Sequence, residues 1–574
     1  VGLPEEIMAL WKYRIRERRS LAGAGHPVVK LLLDARGYTD ENDRERFFAP
    51  HYGRDLHDPF LFSQMDQAIN RIGAALKEGE TVGIFGDYDA DGVTSSVVMR
   101  EALEALGCRV AVYIPKKDTE GHGLNERALD FFVEQGVRLM MTLDCGMMNH
   151  AEIDRANELG LEVIIVDHHH VPATLPAAVA IINPKLRGET YPFQDLCGAG
   201  TAFKVAQALF RRFAPEREEE LKWLLDVVAT GTVADVMPLV GENRVLVKYG
   251  LIVLSRTRRV GFQEMFQVGK MGIDEEKQPT ARDIGFQIAP RINAASRMAH
   301  AMLAHELLME RDAVKARVLA LELEAHNVAR QKISTAATDQ VKKLAQEQYQ
   351  DKKFIFAVGE EYPFGIVGLI AGRVASTYRK PTCVLYRGET ESMGSFRSIP
   401  EFSVIEAIEQ CADLLVKFGG HAQAAGMTIK NEHLDAFYER FNTLVEKALQ
   451  DTVTEPELWI DLSLDPADIV PELVTDIARF APFGEGNPEP VFHLADMLVK
   501  QARFVGAGNK HLKLALASAD GSKVFDAIGF SLGERFPDII PGDRFDAVFN
   551  LEENTWNGRT SIQLKLIDLC KKGV

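Results

Sequence analysis

The chain has 574 residues, 46% hydrophobic and 26% charged, with a formal net charge of −17. Its composition excludes a disordered or fibrous chain, its length suits about three or four domains, and no run approaches the ~18 uncharged apolar residues of a membrane span. The acidic balance does not by itself point to nucleic acid, since phosphate binding favours a basic surface. A local basic groove and bound cations are nevertheless compatible with an acidic exterior.

In chain order, "VGLPEEIMALWKYRIRERR" (1–19) carries its charges after its apolar residues, the reverse of a signal peptide. The start at Val1 reads as a processed or trimmed end, and an N-terminal helical segment is expected over 1–60. From about 80 to 185 apolar runs alternate with helical patterns: "TVGIF" (81–85), "RVAVYIP" (109–115), "VRLMMTL" (137–143), "LEVIIV" (161–166) and "AVAIIN" (178–183). Helices are expected over 93–107 and 125–136. That alternation predicts an α/β domain over 61–290, with a doubly wound parallel sheet and its site beyond the carboxyl ends of the strands. From Arg291 to Val358 there is neither Gly nor Pro, which predicts a long helical connector over 291–350. A second α/β domain is expected over 351–452, with strands "KKFIFAVG" and "PTCVLY" and glycine-rich loops "GSFRSIP" and "FGGHAQAAGMTI". The last segment, 453–574, reads as an OB-like β-barrel with one helix near 469–480 and a hairpin turning at Asn557-Gly558. Six cysteines stand far apart without a CxxC pair, which argues for a reducing cytosol and against thiolate zinc.

Each run of the first sheet ends on chemistry. "TVGIF" leads into Asp87, Asp89 and Asp91, "VRLMMTL" into Asp144, and "LEVIIV" into Asp167, His168, His169 and His170. Asp235 interrupts a later apolar run, "VVATGTVADVMPL". Singly, each reads as a helix cap, a polar loop or a satisfied core group. Jointly they place many like charges on one rim, which is prohibitive without cations. Oxygen ligands joined by imidazole suit Mn²⁺ or Mg²⁺, with enough carboxylates for two ions and two-metal phosphate-ester hydrolysis.

"GDYDADGVTSS", "TLDCGMMNHAEI", "VDHHHVP" and "GTVADVMPL" resemble the ordered motifs of the DHH phosphoesterase superfamily. "GFQIAPRINAASRM", "GSFRSI", "FGGHAQAAGM" and "PFGEGNPEPVF" are similar to those of its RecJ family of 5′-acting single-stranded-DNA exonucleases. The resemblance implies that Asp89, Asp91, Asp144, His168 and Asp235 are metal ligands. It places Asp87 at the first acidic position, and His169 near the nucleophilic water or scissile phosphate as a ligand or acid/base group. Asp91, Asp144 and His169 form the implied catalytic set. Ser395, Arg397, Ser398, Gly419, Gly420 and His421 are the implied phosphate-binding elements, and Arg291, Asn293, Arg297 and Lys117 are further substrate contacts. The chain departs from the family at Cys145 (commonly Asn), Ser296 (Gly), Phe396 (small), Lys117 (Arg) and His122 (Tyr). Lys117 lacks the bidentate fork of arginine, and Phe396 is a candidate base-stacking surface. His170 is expected either to support the site residues from behind or to face solvent.

The expected function is a manganese- or magnesium-dependent exonuclease, in the cytoplasm, removing nucleotides from the 5′ end of single-stranded DNA in repair and recombination. A helicase and a single-strand-binding protein are its expected partners. The rivals are a cyclic-dinucleotide or short-oligonucleotide phosphodiesterase, a pyrophosphatase, a non-catalytic replisome scaffold, and a pure single-strand-binding protein.

Overall fold

The computed structural model describes residues 10–15, 26–274, 277–450, 452, 457–556 and 559–571. They form two compact units, one of residues 56–454 and one combining 1–55 with 455–574. No helix among the described residues is long and apolar enough to cross a membrane.

The larger unit opens on five parallel strands, β1 (Thr81–Gly86), β2 (Arg109–Tyr113), β3 (Val137–Leu143), β4 (Glu162–Val166) and β5 (Ala180–Ile182). Their order is β2-β1-β3-β4-β5, so the chain reverses direction across the sheet at the β1/β3 boundary. In doubly wound sheets that boundary opens the crevice where ligands bind. Helix α1 (Ala90–Ala105) follows β1 and is buried from Ala90 to Met99, because α2 (Gly198–Phe213) and α3 (Leu225–Ala234) enclose it on the side away from the sheet. This explains why α1 carries little amphipathic pattern: a helix covered all round has no polar face to show.

The connector is three helices rather than one: α4 (Ala289–Met298), a short helix Met302–Met309, and α5 (Ala313–Gln348). Gly and Pro do not cause the second break; Asp312 does, its carboxylate accepting from the N–H groups of Val314 and Lys315 at 3.0 and 2.9 Å. With 36 residues, α5 runs about 54 Å at the helical rise.

The second sheet contains β6 (Ile355–Gly359), β7 (Thr382–Arg387), β8 (Glu391–Arg397), β9 (Leu415–His421) and β10 (Ala424–Lys430), in the order β9-β10-β8-β7-β6. Helix α6 (Val367–Tyr378) packs against β7 and β8. Two expectations are corrected here. "GSFRSIP" and "FGGHAQAAGMTI" are not loops: the first supplies the end of β8, the second most of the β9–β10 hairpin. Their glycines serve close strand approach, since a Cβ at Gly394 would lie 2.1 Å from the Val384 carbonyl oxygen. At Gly420, φ is +148° and a Cβ would lie 2.4 Å from the Ala424 oxygen.

In the smaller unit, strands Phe492–Val505, His511–Ala517, Val524–Gly529, Arg559–Lys571 and Arg544–Trp556 pair in that order and close back on the first, making a five-stranded barrel. The turn residues Asn557-Gly558 lie outside the described residues. Among the described residues of the expected N-terminal segment, Pro27–Ala35, Glu41–Phe48 and Tyr52–Asp55 are helical, and they belong to the same unit as the barrel. Leu10–Tyr13 is a strand paired in parallel with Glu457–Ile460, and Val28, Leu32 and Phe47 share the apolar core of Phe480, Phe492 and Leu514. Burial of those side chains against the barrel outweighs any preference of the segment to stand alone.

Candidate active site

The rim of the first sheet gathers its polar groups at the β1/β3 boundary. Beyond β1, Asp89 caps α1, accepting from the N–H groups of Asp91 and Gly92 at 2.9 and 3.1 Å. Beyond β3, Asp144 sits at φ +62°, a conformation that non-glycine residues adopt at a cost and mostly at functional positions. Val236, next to Asp235, is also left-handed at φ +56°.

Asp91 is held by a second helix. The N–H groups of Gly198 and Ala199, at the start of α2, donate to its two oxygens at 2.6 and 2.9 Å. This pairing of a carboxylate with a helix N-terminus is electrostatically favoured. Sequence reasoning missed both residues; the signal was the small-residue run "CGAGTA" (197–202) at a helix start. It needs to be small, because a Cβ at Gly198 would come 2.7 Å from Asp144 Cβ; on α3, a Cβ at Gly231 would likewise come 2.7 Å from Asp91 Oδ1.

Around these carboxylates His168 Nε2 lies 3.1 Å from Asp144 Oδ1, 3.5 Å from Asp235 Oδ2 and 3.7 Å from Asp91 Oδ2. Three overlapping groups have ligand atoms within 4.8 Å of one another: Asp87/Asp89/Asp144, Asp144/His168/His169 and Asp91/His168/Asp235. Asp144 joins the first two and His168 the last two. Asp144 Oδ1 and both ring nitrogens of His168 are buried without hydrogen-bond partners, and unpartnered buried donors and acceptors on one focus fit a cation site. Burial, then Asp91, Asp89, Asp87 and Asp235, push the Asp144 carboxyl well above the usual carboxylate range. Burial and then Asp89 raise Asp91 to about 6, and burial followed by Asp91 and Asp89 raises Asp235 to about 8. Burial and the neighbouring His169 lower His168 to about 3, leaving it the neutral imidazole that ligation requires.

The three histidines of the run differ in their surroundings. Asp167, the last residue tied to the sheet, accepts from the N–H groups of His168 (2.7 Å) and His169 (3.0 Å) and meets His169 Nδ1 at 2.7 Å. Burial opposes charge on His169, but that hydrogen bond and the Asp167 charge hold it up to about 9. His170 is exposed. Asp167 is thus the residue that turns the chain and orients His169.

Facing this rim are cations from three elements. Lys117 lies 5.2 Å over the Tyr88 ring, and burial, then Arg297, bring its pKa down to about 8. Arg297, on α4, donates to the Gly365 carbonyl at 3.0 Å. Arg397, on β8, donates to Ser395 Oγ at 2.6 Å and lies against α6, where a Cβ at Gly368 would meet Nη2 at 3.0 Å. Ser395, Gly426 and Gly419 form one cross-strand row, and Arg397, Ala424 and His421 the next, so these groups share one face.

Three residues are placed otherwise. Arg291 is engaged by Glu324, donating to both its oxygens at 2.5 and 3.1 Å. The Asn293 side chain accepts from the Ala90 N–H at 2.9 Å, so it positions the start of α1. Ser398 Oγ donates to the Phe402 carbonyl at 2.6 Å, closing a turn. Of the departures, Phe396 is fully buried against Phe354 and Phe441 and stacks on no base, correcting the expectation drawn from its type. Cys145 is buried in the apolar cluster with Phe85 and Met147, and Ser296 bonds within α4. His122 stands in the site, its Nδ1 3.0 Å from Asp87 Oδ1.

Three family models match the chain: the DHH family N-terminal domain over residues 81–232, the DHHA1 domain over 351–447 and the RecJ OB domain over 460–568. The chain is 37% identical over 544 residues to the single-stranded-DNA-specific exonuclease RecJ of Bacillus subtilis, covering 94% of this chain and 68% of that protein. To the Haemophilus influenzae protein of the same name it is 32% identical over 572 residues, covering 95% and 96%. The crystal structure of RecJ in complex with Mn²⁺ from Thermus thermophilus matches with a TM-score of 0.80 at 30% identity, over 96% of this chain and 76% of that one. The same enzyme with Mg²⁺ matches at 0.74 and 28% identity, over 96% and 75%.

Proposed function

Because the chain belongs to the RecJ family of single-stranded-DNA-specific exonucleases, we propose that it hydrolyses single-stranded DNA from the 5′ end, releasing mononucleotides, with two Mn²⁺ or Mg²⁺ ions. One observation carries the reading: the buried, unpartnered Asp144 Oδ1 and His168 ring nitrogens belong to three overlapping groups of ligand side chains, near Arg297, Arg397 and Lys117. Asp87, Asp89, Asp91, Asp144, His168, His169 and Asp235 hold the ions, which when bound supply Lewis acidity at the phosphate. Ser395, Arg397, Arg297 and Lys117 fix the 5′-terminal phosphate, and the Gly419–His421 edge supports the backbone beside it. His169, oriented by Asp167, is a ligand when its imidazole is neutral or an acid at the departing oxygen when it is protonated. The domain division at 61–290, 291–350, 351–452 and 453–574, single-strand binding by the barrel, a cytoplasmic setting and work beside a helicase and a single-strand-binding protein belong to the same proposal.

The test is single-stranded DNA labelled at either end and digested with manganese. Mononucleotides appear first from the 5′ label; release from the 3′ label first overturns the polarity. Cleavage of dinucleotides without degradation of long strands would instead favour the phosphodiesterase rival, for which no observation here speaks.

Two further outcomes follow. Asp167→Asn lowers turnover about 10–100-fold, the usual effect of removing the partner of a ligating or acid/base histidine, whereas His170→Leu stays within about twofold of the parent because His170 is exposed; steady-state rates on one oligonucleotide check both. Manganese at about a hundred times its dissociation constant stabilises the protein by about 2.7 kcal/mol, since it relieves repulsion among buried carboxylates. Thermal melts with and without a chelator measure this, and an Asp91→Asn/Asp144→Asn variant shows a smaller difference.

A further inference from the structure

Two carboxylates of the rim are held by backbone donors, Asp89 by the start of α1 and Asp91 by the start of α2. Asp87 differs. Its side chain is 5% exposed, and among the described residues its carboxylate makes one hydrogen bond, with His122 Nδ1 at 3.0 Å from Oδ1. The His122 side chain is 57% exposed, so burial of an apolar ring does not account for where it stands. The loop that delivers it is anchored. Residues 114–125 connect β2, the neighbour of β1 in the sheet, to the helix Glu126–Glu134. Gly121 and Gly123 flank His122 at φ +78° and +84°, left-handed values that glycine adopts without strain. The Asn149 side chain, in the segment after Asp144, accepts from the Leu124 N–H and donates to the Leu124 carbonyl, both at 3.3 Å. The imidazole meets Tyr88 and His169 edge to face, with ring centroids 6.1 and 6.2 Å away.

We propose that His122 is a positioning residue for one of the two ions: its Nδ1–H holds the Asp87 carboxylate for the ion position shared with Asp89 and Asp144, and does not serve the Asp91/His168/Asp235 position. The inference rests on the two-ion reading of this rim. An ionised carboxylate only accepts, so the imidazole nitrogen facing it carries the proton. A ligating carboxylate whose other contacts are fixed loses less freedom when an ion binds, and partners of this kind are worth about 10–100-fold in metal affinity. Histidine suits the task at a position where the family commonly carries tyrosine. Its Nδ1 lies next to the ring carbon that joins Cβ, whereas the one donor of a phenol lies at the far end of the ring. The contact to Asp87 is therefore a feature of this chain's own residue and not of an aromatic ring in general.

The experiment is titration calorimetry of the metal-free full chain with manganese, without DNA, on a crossed pair of variants. His122→Phe keeps the ring and removes the donor; His122→Asn discards the ring and keeps an amide N–H near the place of Nδ1. The parent binds two ions. In His122→Phe one of them binds about tenfold more weakly and the other within about twofold of the parent, while His122→Asn binds both as the parent does. Melting in chelator is the same for all three, because an exposed side chain contributes little to folding. Unchanged affinities in His122→Phe overturn the proposal. Equal weakening in both variants overturns it too, since the ring and not the donor would then matter. A lower melt of metal-free His122→Phe overturns it in favour of a packing role. A parent that takes up no manganese overturns the two-ion reading and this inference with it, whereas failure of the exonuclease reading alone appears in the end-label assay and leaves these affinities as stated.

Discussion

Asp144→Ala reduces digestion of single-stranded DNA at least about a thousandfold, equivalent to about 4 kcal/mol of transition-state stabilisation, with the protein still folded. Asp144 belongs to both the Asp87/Asp89 group and the His168/His169 group, so its loss disrupts both ion positions at once. It offers an unpartnered, buried Oδ1 and holds a left-handed backbone, so nothing nearby can take its place. The substitution also removes one of several mutually repelling carboxylates, each raised by the others. The metal-free variant should therefore melt no lower than the parent, with the difference growing in its favour as pH rises past about 8, where the raised carboxyls ionise and repel most. Initial rates with manganese and melts with a chelator together check the prediction; unchanged turnover would sink the site assignment, and a large fall in melting temperature would point to a packing role.

Lys204→Met destabilises the larger unit by about 3–5 kcal/mol, the usual cost of removing one member of a buried ion pair. Lys204 and Glu242 are both fully buried and 2.7 Å apart. Lys204 Nζ donates to the His57 carbonyl at 3.0 Å. Glu242 accepts from the His57 N–H at 2.7 Å and from the Tyr191 hydroxyl at 2.5 Å. Burial pushes the Lys204 pKa down against the pull of Glu242. With methionine at 204, Glu242 is left with two neutral donors and no counter-charge. The double variant Lys204→Met/Glu242→Leu recovers much of the loss, since it removes the stranded charge, and only the Tyr191 and His57 donors remain to be satisfied. Urea unfolding of the parent, both single variants and the double variant measures the coupling; additive losses would show that the pair does not act as a unit.

The set of carboxylates and histidines on the rim was legible because strand ends are local events. A β-branched run followed by a carboxylate places that carboxylate beyond the sheet, and an α/β alternation says that successive ends share a rim. The left-handed turn at Asp144 and the capping by Asp89 come from residues adjacent in the chain. Phe396 was also open to local reasoning: in the strand Glu391–Arg397, Ser395 and Arg397 point one way, so Phe396 points into the core. Reading that stretch as a loop hid the alternation, because Gly394 suggested a turn where it permits strand approach instead.

The chain by itself therefore determined the alternating sheet and the identity of the carboxylates and histidines on its rim, since each depends on residues close in sequence. Only the tertiary structure decided which cations face a ligand. Arg291 and Arg297 stand six positions apart on one helix, yet Glu324 neutralises the first while the second reaches Gly365 on another lobe. It also decided that residues 198 and 199 hold Asp91 across more than a hundred positions, and that His122 meets Asp87. The electrostatics of a side chain are set by whatever packs within a few ångströms, and distant segments supply most of that.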